Sequence, residues 1–349
     1  MPDTSKSTGW EKARQIGSRL VFVILSTTIM VFFSEKAYWY SQGFVLGELI
    51  LFYAFPVYAI LWAVERFRVR SMPALILVAA LFAFLIEGVL TPVIYEAGLL
   101  DPVMPAYFIG WHGLLSVVFG WYLLRKWLVH AQWRRILAGS ALFGLFWGIW
   151  SITFWLPENA AEWEQLVEAG EVAPGGTLWT VPEFATYVFF FTLMLGTSHW
   201  LLGRGIWQTQ FNLSKAEKWI LTLVLVALFV TLVLPVLPLA IVKLAVMLAI
   251  IYLALRLNRS REAEGTLLTE LGGSVRFLPL LGLLPMPALA TAVYAIASNI
   301  QSSEDLIRTL QESIPPLQAL VGAAVFLWAL ASTLRSRAKP PELAASRLV

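Results

Sequence analysis

Five ionisable side chains interrupt strongly apolar stretches of this chain: Glu48, Glu87, His112, Glu183 and Lys243. An ionisable group costs several kcal/mol in hydrocarbon, so its presence in an apolar helix indicates a functional site by default. Carboxylates beside an imidazole can act together as general acid and general base. We therefore predict that Glu87, His112 and Glu48 are catalytic residues.

The stretch around Glu87 and His112 is the densest in such groups. Pro92 follows Glu87 by five residues, and we expect it to distort the helix end and free backbone carbonyls there. His112 and Ser116 lie four residues apart and share one helical face, which should point inward. The residues that we predict to bind the substrate around this centre are Glu183, Lys243, Tyr95 and Trp111.

Each charged position also has a structural interpretation. Glu183 directly follows Pro182 and could serve the first turn of its helix. Lys243 could extend towards the membrane surface or pair with a buried carboxylate. Glu48 could be a protonated packing residue, and His199, which precedes a tryptophan, is expected to lie at the membrane interface.

Metal and cofactor chemistry have little local support in the sequence. His112 could supply a nitrogen ligand, but neither an HExxH nor an ExxH spacing occurs, so no metal site is predicted. A haem between two histidines is disfavoured because His112 and His199 should lie at opposite sides of the membrane. The chain has no cysteine, which excludes disulfides and thiolate metal sites. The sequence therefore predicts no particular cofactor.

Helices that cross a membrane must position these residues. Apolar residues make up 59% of the chain and charged residues 13%, against about 25% charged in soluble domains. The predicted fold is an all-α, polytopic membrane bundle of about ten helices within a single membrane domain. The predicted spans are 17–34, 43–63, 72–94, 106–127, 135–156, 181–203, 217–236, 237–256, 277–298 and 316–334.

The basic residues predict the orientation of the bundle. Of the 25 Lys and Arg residues, 22 lie in one set of loops and tails, two lie in the opposite set, and Lys243 lies inside a span. This asymmetry predicts that the tails, residues 1–16 and 335–349, are both cytoplasmic. We expect a multi-pass protein of the plasma (cytoplasmic) membrane.

With this topology, the five ionisable residues of the apolar stretches fall in the outer part of the bilayer, within roughly 10 Å of its surface. We therefore expect Glu48, Glu87, His112 and Lys243 to face one another in one pocket, with at least three of them in contact. Glu183 would lie at the entrance of this pocket.

Four local features can be tested against the structure. Residues 234–238 should form a tight turn between spans seven and eight, and Ser214 with Glu217 should form a capping box. Gly144 and Gly148 should permit close helix packing. The segments 157–170 and 302–314 should form short surface helices on the outer side.

Three classes of function remain open. The clustered carboxylates and histidine, with aromatic surroundings, favour an enzyme that acts on a lipid or isoprenoid. The prolines at 279, 285 and 287 suggest a broken ninth span, as secondary transporters often have. A non-catalytic subunit or scaffold with structurally paired charges is the third class. Expected partners are membrane lipid and a small apolar ligand, and the net charge of +3 gives no support to nucleic-acid binding.

Overall fold

The computed structural model describes residues 9–37, 46–153, 168–169, 180–204, 211–258, 265–299 and 304–336. These residues form helices and turns, with no strand among them. The ten long helices are α1 (Trp10–Lys36), α2 (Leu46–Arg66), α3 (Met72–Leu90), α4 (Val103–Val129), α5 (Trp133–Ile152), α6 (Val181–Leu202), α7 (Lys215–Val233), α8 (Ala240–Leu257), α9 (Phe277–Ser298) and α10 (Arg308–Arg335).

Each of these helices is long and apolar enough to cross a membrane. The protein is therefore consistent with a multi-pass membrane protein, as predicted. Helix α3 is the most buried and packs against α2, α4, α8 and α10, whereas α7 and α10 expose most of their apolar surface. Helix α1 packs against α2, α4 and α6, and α9 packs against α5 and α6.

The two ends of the bundle differ in their connections. We call one end of the bundle the basic end, because the predicted basic loops lie there; it contains the turns at 67–71, 130–132 and 265–276. Two of these turns are joined by a hydrogen bond of 2.8 Å from the Leu267 amide to the Val69 carbonyl. The other end, with the segments 91–102 and 234–239, is the distal end. Which end faces the cytoplasm stays a prediction.

Two of the local predictions concern caps and turns, and both are confirmed. The Glu217 carboxylate accepts from the Ser214 amide at 2.8 Å while the Ser214 hydroxyl accepts from the Glu217 amide at 3.2 Å, which is a capping box. Residues 234–239 form the turn between α7 and α8.

The predicted close packing at two glycines is also confirmed. A Cβ atom on Gly144 would lie 2.9 Å from the Met286 Cα, and one on Gly148 would lie 2.8 Å from the Ala290 carbonyl oxygen. These glycines let α5 approach the backbone of α9 more closely than any larger residue would allow.

Helix α9 is broken near its start, as the prolines predicted. A short helix, Phe277–Leu280, is followed by a 3₁₀ turn, Leu281–Leu283, and then by the helix Pro285–Asn299. The break lies at the basic end of the bundle.

The predicted separate surface helix at 302–314 is wrong. One continuous helix runs over Glu304–Ser336 and contains Pro315 and Pro316. Prolines are tolerated in membrane helices when packing holds the chain in place, and α10 packs here against α3 and α4. The first helix likewise begins at Gly9, earlier than predicted. The predicted helix at 157–170 lies outside the described residues, apart from 168–169.

The turn between α4 and α5 generates a prediction about stability. Ala131 has φ +49°, in the left-handed region, while the Gln132 amide donates to the Trp127 carbonyl at 2.9 Å. This conformation costs an L-residue about 1–2 kcal/mol, of which glycine recovers part. We expect Ala131→Gly to raise the free energy of unfolding by about 0.5–1 kcal/mol, seen as a higher melting temperature in detergent.

Ala138→Gly is the matched control for this substitution. Ala138 is exposed inside α5, where glycine should lower the free energy of unfolding by about 0.5–1 kcal/mol. A fall in melting temperature for both variants would contradict the assignment of strain to Ala131.

Candidate functional site

Glu87 and His112 are in direct contact inside the bundle. The His112 Nε2 lies 2.6 Å from the Glu87 Oε1, and the two residues are 0% and 7% exposed, respectively. The Thr91 hydroxyl donates to the other carboxylate oxygen at 2.7 Å. The predicted adjacency of Glu87 and His112 on neighbouring antiparallel helices is therefore confirmed.

The approach of α4 to α3 places this pair. Gly113 follows His112, and a Cβ atom there would lie 3.3 Å from the Ala79 carbonyl oxygen of α3. One turn further along α4, the Ser116 hydroxyl lies 2.7 Å from the Ser34 hydroxyl of α1. His112 and Ser116 are both fully buried, so the predicted inward face of α4 is also confirmed.

A second carboxyl group, which the sequence analysis missed, completes the centre. The Tyr53 hydroxyl of α2 donates a hydrogen bond to the Glu35 carboxylate at the end of α1. Glu35 interacts electrostatically with His112 and Glu87. Four helices thus contribute to one group of buried and partly buried side chains, which we call the polar cluster: Ser34, Glu35, Tyr53, Glu87, Thr91, His112 and Ser116.

Signals for Glu35 and Tyr53 were present in the sequence. Glu35 directly follows the predicted first span, 17–34, and the end of a predicted span can lie about two to four residues further along the chain. Tyr53 recurs with Leu49 and Val57 at four-residue intervals, and all three are buried. That spacing defines the inward face of α2.

The two carboxyl groups and the imidazole of the polar cluster all lie on π-helical segments. Glu35 lies in Phe32–Lys36, Glu87 in Ile86–Leu90 and His112 in Ile109–Leu124. The π-helix is rare and occurs mostly as single turns inside α-helices, frequently at functional sites. Its coincidence with all three groups supports a functional interpretation of this cluster.

Aromatic rings surround His112. Its ring stacks on Trp111 at a centroid distance of 4.5 Å and on Phe108 at 5.7 Å, and Phe82 and Tyr53 lie at 6.4 and 6.5 Å. The Nδ1 atom of His112 is buried and has no hydrogen-bond partner among the described residues. Trp111, predicted to bind the substrate, therefore contributes to the wall around the imidazole.

The segment 91–102 covers the distal end of the cluster. The Tyr95 hydroxyl donates to the Gly88 carbonyl at 2.9 Å, which is a carbonyl freed by the break before Pro92. Burial raises the pKa of Tyr95, so the phenol stays protonated and remains a donor. Tyr95, predicted to bind the substrate, is thus held by the helix end.

Lys243 binds this covering segment instead of the polar cluster. Its Nζ donates to the Ile94 carbonyl at 2.7 Å and to the Gly98 carbonyl at 3.0 Å. The expectation that Lys243 faces Glu87 and His112 is therefore wrong. The irregular backbone of 91–102 leaves carbonyls without helical partners, and a buried ammonium satisfies them.

Two further predicted site residues lie outside the polar cluster. Glu48 is exposed near the start of α2 and contacts neither Glu87 nor His112. Glu183 is also exposed, and its carboxylate accepts from the Thr180 amide at 2.8 Å in a capping box, which confirms its alternative interpretation as a residue of the first helical turn. We predicted that at least three of the residues Glu48, Glu87, His112 and Lys243 would be in contact. This prediction is wrong, because only Glu87 and His112 contact each other.

A buried cation also lies at the basic end. Arg125 is fully buried and donates to the carbonyls of His199, Leu271 and Gly273 at 2.7, 3.0 and 3.2 Å. His199 is fully buried beside it in the last turn of α6, and its predicted depth at the membrane interface stays a prediction. Arg125 holds the 271–273 segment against α4 and α6.

The parts of the chain that the structure describes contain no group of three or more His, Cys, Asp or Glu residues arranged to hold a metal ion. In the comparisons with known proteins, no family model, no curated protein and no solved structure matches this chain. The geometry of the polar cluster is therefore the basis for the functional argument.

The contacts of Lys243 generate a prediction. Lys243→Met leaves the carbonyls of Ile94 and Gly98 without their donor, and a hydrogen bond from a charged group contributes about 2 kcal/mol. We expect a lower melting temperature and faster amide hydrogen exchange across residues 91–102.

Lys215→Met is the control, because Lys215 is exposed at the start of α7. Its amide exchange in 91–102 should match that of the parent. Unchanged exchange in Lys243→Met would show that the lysine does not hold this segment.

Proposed function

We propose that this protein is a membrane enzyme that performs general acid–base chemistry on an apolar lipid or isoprenoid. The observation that carries the proposal is the buried contact between Glu87 and His112 at 2.6 Å, beside the hydrogen-bonded pair of Tyr53 and Glu35. Carboxyl and imidazole groups commonly act as the general acid and general base that transfer a proton to and from a substrate.

The contacts within the cluster suggest distinct roles. Thr91 and His112 fix both oxygens of Glu87, so this carboxylate orients the imidazole and exchanges a proton with it. The Nδ1 atom of His112, which lacks a described partner, is the atom that would meet the substrate. Glu35, through Tyr53, is a second acid or base for the opposite proton transfer.

The surroundings favour an apolar substrate. The rings of Trp111, Phe108 and Phe82 offer few hydrogen-bonding groups for a polar headgroup. Aromatic faces instead bind hydrocarbon, and they can stabilise a positive charge that develops on a substrate. The cluster is also built from helices that can cross a membrane, so a substrate dissolved in the bilayer could reach it.

A proton-coupled carrier is the second candidate, and the broken helix α9 favours it. However, α9 packs against α5 and α6, whereas the polar cluster is built on α1 to α4. A transporter would be expected to place its exchanging carboxylates near the broken helix. This separation favours the enzyme.

We predict that Glu87→Gln and His112→Ala abolish the reaction while the protein still accumulates. Glutamine keeps the shape of Glu87 and can still accept a hydrogen bond at its amide oxygen, but it cannot exchange a proton. The measurement is mass spectrometry of apolar lipids from membranes that contain each variant. The parent and the control Glu96→Gln, an exposed carboxylate of the distal end, should produce the same altered lipid species.

Melting temperatures in detergent distinguish the remaining classes. Removing one partner of a purely structural buried ion pair lowers the free energy of unfolding by about 3–5 kcal/mol. Much lower melting temperatures for both variants would therefore favour a scaffold. If both variants are stable, no lipid is altered and proteoliposomes take up protons, the carrier would replace the enzyme.

The orientation is part of the same proposal: the basic end faces the cytoplasm and the polar cluster lies in the outer half of the plasma membrane. The distribution of Lys and Arg supports it. A reporter fused after Val349 should be cytoplasmic, and one inserted near Glu168 should be extracytoplasmic. A reporter at Val349 that is found outside would reverse the placement.

A further inference from the structure

A second candidate site lies at the basic end, far from the polar cluster. A cavity of about 500 Å³ opens between the end of α2 and residues 211–218 at the start of α7. Its lining includes three cations, Arg66, Arg68 and Lys218, and one carboxylate, Glu65. Trp62 and Phe211 contribute apolar surface.

The wall of this cavity is held in place by its neighbours. Glu217 accepts from the Arg19 side chain at 2.7 Å and from the Tyr58 hydroxyl at 2.8 Å, which joins α7 to α1 and α2. Phe211 packs edge-on against Phe22 and Tyr58 at centroid distances of 5.4 and 6.1 Å. The cavity is therefore formed before any ligand binds.

The charges of the cavity are unbalanced. Among the described residues that line it, Arg66, Arg68 and Lys218 carry positive charges and Glu65 carries a negative charge, so the lining has a net charge of +2. Neither Arg66 nor Lys218 forms an ion pair with any residue that the structure describes. Arg19 does not add to this excess, because Glu217 neutralises it.

The position of the cavity favours the headgroup of an anionic lipid. It lies at the ends of two helices that can span a membrane, where basic pockets between helices bind anionic lipid headgroups. Beside Lys218, α7 exposes Trp219, Ile220 and Leu223, which offer an apolar surface for acyl chains. The volume lies in the range of about 300–1,000 Å³ that is typical of ligand sites.

We propose that this cavity binds the phosphate-bearing headgroup of an anionic phospholipid. Arg66, Arg68 and Lys218 contact the phosphate oxygens, and the acyl chains lie along the exposed face of α7. This inference does not depend on the reaction at the polar cluster or on which end faces the cytoplasm.

The test compares lipids that differ in charge. The full-length protein in a neutral detergent is titrated with dioctanoyl phosphatidylglycerol, with dioctanoyl phosphatidylcholine and with inorganic phosphate, and the melting temperature is recorded. We expect phosphatidylglycerol alone to raise it at low concentration. Equal stabilisation by phosphatidylcholine would overturn the proposal, and equal stabilisation by inorganic phosphate would assign the cavity to a soluble anion.

Variants locate the effect. Each basic residue near a membrane surface strengthens anionic lipid binding about fivefold, so the double variant Arg66→Gln/Lys218→Gln should bind phosphatidylglycerol about thirtyfold more weakly. The double variant Arg134→Gln/Arg335→Gln is the control, since both residues are exposed at the basic end outside this cavity. Retained binding in the first double variant would refute the cavity as the site.

A variant that is expected to bind the lipid more tightly provides a test that misfolding cannot mimic. Glu65→Gln removes the one carboxylate of the lining and keeps an acceptor for the Thr266 hydroxyl, which lies 3.5 Å away. It should bind phosphatidylglycerol several-fold more tightly than the parent. Unchanged or weaker binding would contradict an electrostatic headgroup site.

Discussion

The cost of placing an ionisable group in an apolar bundle governs the distal half of this protein. Glu87 meets this cost with hydrogen bonds to both carboxylate oxygens, from Thr91 and from His112. That contact requires α4 to lie against the backbone of α3, which Gly113 permits. The hydroxyl pair of Ser34 and Ser116 then joins α1 to the same centre. Contacts at and beside one buried pair thus link α1, α3 and α4.

Two of the buried cations, Arg125 and Lys243, meet the same cost in a different way. Both donate to backbone carbonyls of irregular segments, 271–273 and 94–98. Their side chains therefore donate hydrogen bonds to carbonyl groups that have no helical partner because the helix has ended. Since they are committed to carbonyls, neither neutralises the carboxylates of the polar cluster. Glu35 and Glu87 interact instead with Tyr53, Thr91 and His112, which can all exchange or share protons.

The ten helices and the Glu87–His112 adjacency could be predicted because hydropathy, length and hairpin connectivity determine them. Depth in the bilayer also follows from the position along a helix, and Lys243 and His112 do lie at the same end. Rotation about the helix axis does not follow from depth, so Lys243 points to a different neighbour and Glu48 is exposed. Glu35 was missed because the boundary of a span is the least certain part of such a prediction.

The π-helical segments under Glu35, Glu87 and His112 make this site sensitive to chain length. A π turn holds one more residue than the α turn it replaces, and each residue of an α-helix turns the chain by about 100°. Loss of one residue between Glu87 and Thr91 would therefore rotate these two side chains relative to each other by about 100°, although both residues are still present. The spacing of this site is fixed by residue count, so a single deletion would damage it more than most single substitutions.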